Sequence, residues 1–356
     1  MSGVSTKKII IAASGTGGHI YPGISLAREF ESKGYKAVFF ISNNATSVKI
    51  LENSGFEHIA FNMTGMPRKA SPSFVKFLFR LTRVVFQSKK KIKEINPDAI
   101  IGTGGYISVP VTLAAKMLGK KTYIHEQNAM PGAANKFLSK IVNKVFISFK
   151  DSAKYFGGNT VLSGYPVRAD ILNASKNSAL KKFNFNKDVF TILVFGGSLG
   201  AVKLNEVAFE ALDKLSASEK IQVLHVTGDK NHDSIAAMAK NKNGYLVFKY
   251  MHDIADAYAA SDVLICRSGA GAVFEIKALN KPAILVPYPY ATGNHQFYNA
   301  KAIEKPGLVE VIEEKNINPE VLISALKSLK ANLGAVSIPK IAELPQEIIF
   351  KEITNV

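Results

Sequence analysis

The sequence predicts an α/β protein made of two doubly wound parallel sheets. Three observations carry that expectation. Continuously apolar strands are followed repeatedly by a glycine-rich turn and then a helical pattern, as in parallel sheets covered on both faces. The tetrapeptide GTGG occurs twice, at 15–18 and 102–105, each time directly after a strand. A polar, lysine-rich segment, Asn173 to Lys187, then separates this set of elements from a second one. The length of 356 residues suits two domains at roughly 150 residues each.

In chain order, Lys7–Ala13 is the first strand, followed by the turn Gly15-Thr16-Gly17-Gly18-His19. A helix from about Pro22, carrying Ile24, Leu26, Ala27 and Phe30, ends near Gly34, and Ala37–Ile41 is the next strand. Asp98–Ile101 leads into Gly102-Thr103-Gly104-Gly105-Tyr106, Lys121–Ile124 into His125-Glu126-Gln127-Asn128, and Lys144–Ile147 is a further strand. The first half stops around Gly164-Tyr165-Pro166-Val167-Arg168. In the second half Thr191–Phe195 runs into Gly196–Ala201, Gln222–Val226 into Thr227-Gly228-Asp229, and Tyr245–Phe248 into Tyr250–Ile254. Asp262–Ile276 reads as a buried strand, a glycine turn and a helix opening on Ala272; taken alone it is an ordinary turn capped by Ser268. Ala283–Val286 precedes a loop containing Asn294-His295-Gln296. Ligands of such sheets bind outside the carboxyl ends of the strands, so the glycine turns are expected to line a cleft faced by both sheets.

Composition narrows the class. Hydrophobic residues at 47% and charged residues at 21% suit a globular protein with sizeable cores. The lone cysteine, Cys266, excludes a disulfide framework or a cysteine-rich metal site and fits a reducing compartment. The apolar run near the N-terminus is a first strand rather than a signal peptide, and no run of apolar residues is long enough to span a membrane. The formal charge of +17 points to an anionic partner.

That charge is concentrated. From Arg68 to Lys93 there are nine Lys or Arg and no Asp or Glu. On a helical wheel Phe74, Phe77, Leu78, Leu81, Val84, Val85 and Ile92 form one apolar face, explained by core packing, and Lys76, Arg80, Arg83 and Lys90 lie opposite. Val75, Phe79 and Phe86 form a second apolar strip beside the basic stripe. Phenylalanine next to lysine and arginine suits an anionic lipid surface, so Val75, Phe79, Arg80, Arg83, Phe86 and Lys90 are the expected membrane contacts. No nucleic-acid-binding signature accompanies the charge, and nucleic acid is not an expected partner.

The motifs exclude several chemistries. No P-loop and no clean GxGxxG is present, and the absence of HExxH, CxxC and DxD gives no dedicated metal site and no expected cofactor. Gly269-Ala270-Gly271 with Glu275, Gly197-Ser198 and Arg168 instead suggest a nucleotide diphosphate held by backbone N–H groups and one guanidinium. His19, directly after a glycine turn, has two readings: a general base, or a helix-start histidine that only hydrogen-bonds the turn. His125 and Glu126, ending another strand, are expected to orient an acceptor, with a role as base the weaker alternative.

Seven ordered motifs carry a resemblance: GTGGHIYP at 15–22, GTGGYISVP at 102–110, HEQNAMPGAANK at 125–136, GYPVR at 164–168, GGSLGA at 196–201, CRSGAGAVFE at 266–275 and NHQFYNA at 294–300. Together they resemble the MurG family along essentially the whole chain. The resemblance implies the GT-B fold, with an acceptor- and membrane-associating domain at 1–165, a UDP-sugar domain at 166–337, and a segment at 338–356 returning to the first. It implies inverting, metal-independent transfer of N-acetylglucosamine from UDP-N-acetylglucosamine to the C4 hydroxyl of undecaprenyl-diphospho-N-acetylmuramoyl-pentapeptide, lipid I becoming lipid II. The setting would be peptidoglycan synthesis, hence cell-wall biogenesis, cell shape and division, at the cytoplasmic face of the inner membrane and alongside other cell-wall proteins. By motif, Thr16, Gly17 and Gly18 border donor sugar and acceptor, Gly104, Gly105 and Tyr106 lie on the acceptor side, and Asn128 contacts the donor. Arg168 and Ser198 meet the nucleotide and phosphates, and Met251 offers backbone to the uracil. Ala270, Gly271, Ala272, Val273, Phe274 and Glu275 hold the diphosphate and ribose, and Gln296 the sugar hydroxyls. Ser14 stands where the family often has glycine, which would stiffen the first loop, and His295 where some relatives have glutamine. The alternatives are another lipid glycosyltransferase of this architecture, such as a diacylglycerol galactosyltransferase, or a catalytically silent, membrane-bound nucleotide-sugar-binding module.

Overall fold

The computed structural model describes residues 6–15, 17–67, 72–197, 200–251, 253–335 and 343–355. They fall into two compact units, one of Met1–Arg168 with Ala342–Val356 and the other of Ala169–Ile341.

In the first unit β1 (Lys8–Ala13), β2 (Lys36–Ser42), β3 (His58–Phe61), β4 (Ala99–Gly104), β5 (Lys121–Glu126), β6 (Lys144–Ile147) and β7 (Thr160–Leu162) make a parallel sheet. Their order is β3-β2-β1-β4-β5-β6-β7. Successive side chains alternate between the faces, and both faces are buried, which is why the strands read as unbroken apolar runs. Ile9, Ile11, Phe39 and Ile41 enter one core, beneath α1 (Gly17–Ser32) and α2 (Ala45–Ser54). Ile10, Ala12, Val38 and Phe40 enter the other, beneath α3 (Pro72–Ile95) and α4 (Ser108–Met117). The short α5 (Ala133–Leu138) closes the end of the sheet near β6 through Leu138.

The second unit opens with α6 (Ala169–Asn173) and α7 (Lys176–Phe183). It then alternates β8 (Phe190–Phe195), α8 (Val202–Ser216), β9 (Ile221–Val226), α9 (His232–Ala239), β10 (Tyr245–Phe248) and α10 (Ile254–Ala260). It continues through β11 (Val263–Cys266), α11 (Ala270–Leu279), β12 (Ala283–Leu285), α12 (His295–Lys301), β13 (Val309–Val311) and α13 (Pro319–Ala331). The parallel sheet has the order β10-β9-β8-β11-β12-β13. Ile192, Val194, Val263 and Ile265 pack there against Leu204 and Leu212 of α8 and Leu322 and Leu326 of α13. The last helix, α14 (Pro345–Thr354), belongs to the first unit: Ile349, Phe350 and Ile353 lie in its core, with the Phe350 ring 5.0 Å from that of Phe30.

Each strand order reverses once, between β1 and β4 in the first sheet and between β8 and β11 in the second. At such a reversal the connections leave in opposite directions and open a crevice at the strand ends. The segments that leave β1 at Ser14 and β4 at Gly105 stand at this place in one unit, and those that leave β8 at Gly196 and β11 at Arg267 in the other. Every glycine turn that the sequence suggests as a phosphate seat therefore sits at a switch point.

Several expected boundaries move. Helix α1 begins at Gly17, so Pro22 is inside it, one turn in, where the missing N–H removes a single helical hydrogen bond. Helix α11 begins at Ala270 rather than Ala272. On α3, Phe74 and Leu78 were expected in the core, yet they are 37% and 43% exposed. Only Val84, Ser88 and Ile92 are buried, with Phe77, Leu81 and Val85 packed partway. The reason is length. At 1.5 Å per residue α3 is about 36 Å long and its partner α4 about 15 Å, so the first turns of α3 overhang.

Ile349→Ala should lower the unfolding free energy of the first unit by about 2–5 kcal/mol, the cost of an aliphatic core cavity. Urea denaturation followed by circular dichroism measures it; a change below about 1 kcal/mol would mean that α14 contributes little to that core.

Candidate active site

In the first unit, His19 lies in the first turn of α1 and its ring rests on the backbone of Gly104. A Cβ at Gly104 would approach His19 Nδ1 to 2.4 Å, and the residue has φ of +116°, so only glycine fits. Thr103 Oγ1 donates to the His19 carbonyl at 2.8 Å and anchors the first turn of α1 to β4. His19 Nδ1 lies 3.3 Å from Gln127 Oε1, just beyond the end of β5. Gln127 Nε2 in turn lies 2.5 Å from the Thr103 carbonyl, 3.1 Å from the His125 carbonyl and 3.1 Å from His125 Nδ1. His125 Nε2 is 2.9 Å from the Gly164 carbonyl. Desolvation dominates His125 and lowers its pKa to about 4, with the nearby His19 adding to the shift.

Glu126 points the opposite way from its neighbours, as strand alternation requires. Its Oε1 accepts from the N–H and side-chain amide of Asn128, at 2.9 and 3.2 Å. Its Oε2 accepts from the N–H of Gly132 at 3.2 Å and from Asn135 Nδ2 at 2.8 Å. Burial pushes this carboxyl up while the four donors hold it back. The geometry gives Glu126 a brace, folding residues 126–135 around one carboxylate. Both His125 and Glu126 are buried, so any effect they have on an acceptor passes through Gln127, Asn128 and the loop.

The other residues singled out on this unit take varied places. Gly17 and Gly18 supply the first N–H groups of α1, and Gly17 lies against the Tyr21 ring. Gly105, at φ of +80°, abuts the Ser14 carbonyl, and half-exposed Tyr106 covers Gly65. Ser14 is unstrained, because the positive φ falls on Gly15; its buried hydroxyl accepts from Ser42 at 3.0 Å. The guanidinium of Arg168 stacks on Tyr21 at 4.7 Å. Thr16 and Ser198 lie outside the described residues.

In the second unit α11 starts at Ala270 with Gly269 as its N-cap. Ser268 is not the cap: its hydroxyl donates to the Gln296 carbonyl at 2.8 Å. The first turn of α11 therefore presents backbone N–H groups and the positive end of a helix dipole, with no acidic side chain there. Val273 and Phe274 face the core, so only their backbones are available, whereas Gly271, Ala272 and Glu275 are half-exposed. Burial first, and the Glu275 carboxylate second, push the Cys266 thiol up, leaving it protonated and inert. Gln296 Oε1 accepts from the N–H of Tyr288 at 2.9 Å, which commits its oxygen to the loop and leaves the NH₂ as the group for a ligand. Met251 is half-buried just beyond β10, whose end is tied to β9 by Thr227 N–H to the Phe248 carbonyl and Gly228 N–H to the Lys249 carbonyl.

Two functional supports have no expectation behind them. Gln127 is one. Two residues beyond His125 along an extended chain, it shares that residue's face, and this spacing was the available signal. The other is Arg267, whose Nη1 donates to the carbonyls of Val286 and Pro287 at 3.1 and 3.3 Å and whose Nη2 pairs with Glu314. It ties β11 to the start of the loop that carries Gln296.

Buried imidazoles make stability depend on pH. His225, between Tyr245 OH at 2.8 Å and Asn205 Oδ1 at 3.2 Å, is lowered by burial to about 3. Its folded pKa lies below the unfolded value, so its contribution is complete above about pH 6.5 and is lost as pH falls towards 3. The slope reaches about 1.4 kcal/mol per pH unit. His125 acts in the same sense but is opposed by Glu126, whose raised pKa lets the folded state take up a proton first. Urea midpoints of the second unit should thus fall between pH 7 and pH 4.5, and His225→Gln should flatten that fall; an equal slope in the variant would refute the assignment.

Comparison with known proteins places both units. Residues 9–147 match the family described as "Glycosyltransferase family 28 N-terminal domain" and residues 191–342 its "C-terminal domain". A Desulforamulus reducens protein is 38% identical over 336 residues, covering 91% of this chain and 90% of its own length. One from Halothermothrix orenii is 35% identical over 333 residues, with 90% of each covered. Both bear the name UDP-N-acetylglucosamine–N-acetylmuramyl-(pentapeptide) pyrophosphoryl-undecaprenol N-acetylglucosamine transferase. The crystal structure of Acinetobacter baumannii MurG superimposes with a TM-score of 0.72 at 24% identity, covering 99% of this chain and 100% of that one, and shares the two-sheet GT-B fold. With identity of this level sustained through both units, the chain belongs to the MurG family of glycosyltransferases.

Proposed function

We propose that this chain transfers N-acetylglucosamine from UDP-N-acetylglucosamine to the C4 hydroxyl of undecaprenyl-diphospho-N-acetylmuramoyl-pentapeptide. The observation that carries this reading is the match, along nine-tenths of both lengths, to relatives named for this transfer. It spans the unit that holds His19 and the unit that holds Glu275 and Gln296.

The first unit takes the acceptor and supplies the base; the second takes the donor. The acceptor oxygen attacks the anomeric carbon from the face opposite the diphosphate, so one displacement inverts the configuration. The C1–O bond to the β-phosphate breaks, UDP leaves with the electron pair, and the hydroxyl proton passes to His19 Nε2. Charge that develops on the diphosphate is met by the N–H groups of the first turn of α11, with Arg168 as the cation for the nucleotide. Glu275 accepts from the ribose hydroxyls, the Gln296 NH₂ donates to the sugar, and the backbone at Met251 reads the uracil.

The acceptor's lipid calls for a membrane surface. Among the described residues no helix is long and apolar enough to cross a bilayer. Instead α3 exposes Val75, Phe79 and Phe86 at 68%, 73% and 66%, with Phe74 and Leu78 also exposed. Arg83 and Lys90 stand exposed beside them, while Arg80 is bound to Thr64 Oγ1 at 2.5 Å and helps fix the overhanging turns. This surface docks the first unit on an anionic leaflet, by apolar insertion and basic attraction together.

The purified chain should move labelled N-acetylglucosamine onto lipid I; transfer of galactose to diacylglycerol, with lipid I ignored, would overturn the reading. His19→Ala should lower turnover by about 10²-fold or more while UDP still binds, and unchanged turnover would remove His19 as base. Phe79→Ser combined with Phe86→Ser should cut sedimentation with anionic vesicles by about tenfold or more. Equal sedimentation of variant and parent would separate α3 from membrane docking.

A further inference from the structure

The hydrogen bonds behind His19 have a direction, and that direction has a chemical consequence. Gly164 offers a carbonyl, which can only accept, so His125 Nε2 must carry the proton in their 2.9 Å contact. Burial keeps His125 neutral, so its Nδ1 bears the lone pair. The Gln127 carboxamide faces that lone pair and also the carbonyls of Thr103 and His125. All three partners accept, so the amide nitrogen must point at them and the amide oxygen at His19. An amide flipped the other way would set oxygen against two carbonyl oxygens. Oε1 in turn has no hydrogen, so the 3.3 Å contact with His19 exists only if Nδ1 is protonated.

We infer that Gln127 is a positioning residue that holds His19 in its Nδ1–H tautomer, leaving the Nε2 lone pair to take the acceptor's proton. This rests on the reading of His19 as the base and adds what makes it one. Free histidine in water favours the opposite tautomer, with the proton on Nε2, and in that form the nitrogen assigned to catalysis cannot accept. Gln127 is itself buried, so water does not substitute for the imidazole at Oε1. An unmet buried acceptor is disfavoured enough to bias the tautomer ratio by about tenfold or more. The relay begins at the Gly164 carbonyl, on a backbone rather than on a carboxylate. It therefore orients the base without placing a negative charge behind it, unlike the aspartate of a serine-protease triad.

The test is ¹⁵N NMR of the histidine-labelled full chain at about pH 8.5, where an unperturbed imidazole is neutral, with His19 assigned by comparison with His19→Gln. The expected pattern is a protonated Nδ1 and an unprotonated Nε2; the reverse pattern overturns the inference, and the parent chain, with His125 and Gln127 intact, is the one that shows it. Gln127→Leu should then shift the resonances towards the Nε2–H form and lower kcat about 10- to 100-fold, with the KM for UDP-N-acetylglucosamine changed by less than about twofold. A Gln127→Leu protein that melts normally and keeps full kcat would also overturn it. The failure of the underlying reading looks different: His19→Ala with undiminished turnover would remove the base, whatever tautomer the spectrum shows.

Discussion

What the rest of the molecule depends on is the reversal of strand order in each sheet. Connections that leave a parallel sheet in opposite directions part beyond the ends of two neighbouring strands and open a crevice there. In the first unit those strands are β1 and β4, which explains why GTGG occurs twice. The two copies are not an internal repeat of a folding unit; they are the two lips of one crevice. The same holds for the turns after β8 and β11. Small residues are needed after β4 and after β8 because chain passes close to chain there: His19 against Gly104, Ser14 against Gly105, and Thr227 against Gly200.

Around the first crevice the polar groups are unusually deep. His125, Glu126, Gln127 and Asn135 are all buried, within ten residues of β5 and its loop. Burying so many polar groups is tolerable when they bond one another, and here each of the four side chains makes at least one hydrogen bond, Asn135 through its Nδ2. Carbonyls set the amide, the amide sets the imidazole, and one carboxylate gathers a loop. The result is rigidity at the place where chemistry needs a defined geometry.

Much of the fold was legible because parallel strands covered on both faces are apolar at every position. Lys7–Ala13, Thr191–Phe195 and Val263–Cys266 could not easily be anything else. The strands that gave no clear signal, β3, β7 and β13, are short and stand at sheet edges, where half the side chains meet solvent and the apolar run breaks up. The overhang of α3 was hidden for another reason: a helical wheel gives the face that could pack but not the length of the partner. The site divides in the same way. Glycine turns and the histidine beside them are local features, whereas the pairing of His19 with Gln127 spans 108 residues and that of Arg267 with Glu314 spans 47. Such partnerships come from the fold, and only the two-residue spacing of His125 and Gln127 hinted at one of them.

The place of α14 bears on how the chain is made. The second unit is continuous in sequence, while the first is completed by residues that follow it. A ribosome delivers the N-terminal sheet early, yet the pocket for Ile349, Phe350 and Ile353, beside Phe30 and Tyr35, stays unfilled until the whole second unit has been made. During that interval an apolar groove on α1 is open to water, on the same unit that bears the exposed strip of α3. The order of synthesis and the order of completion are therefore opposite: the unit that starts first is the last to close its core.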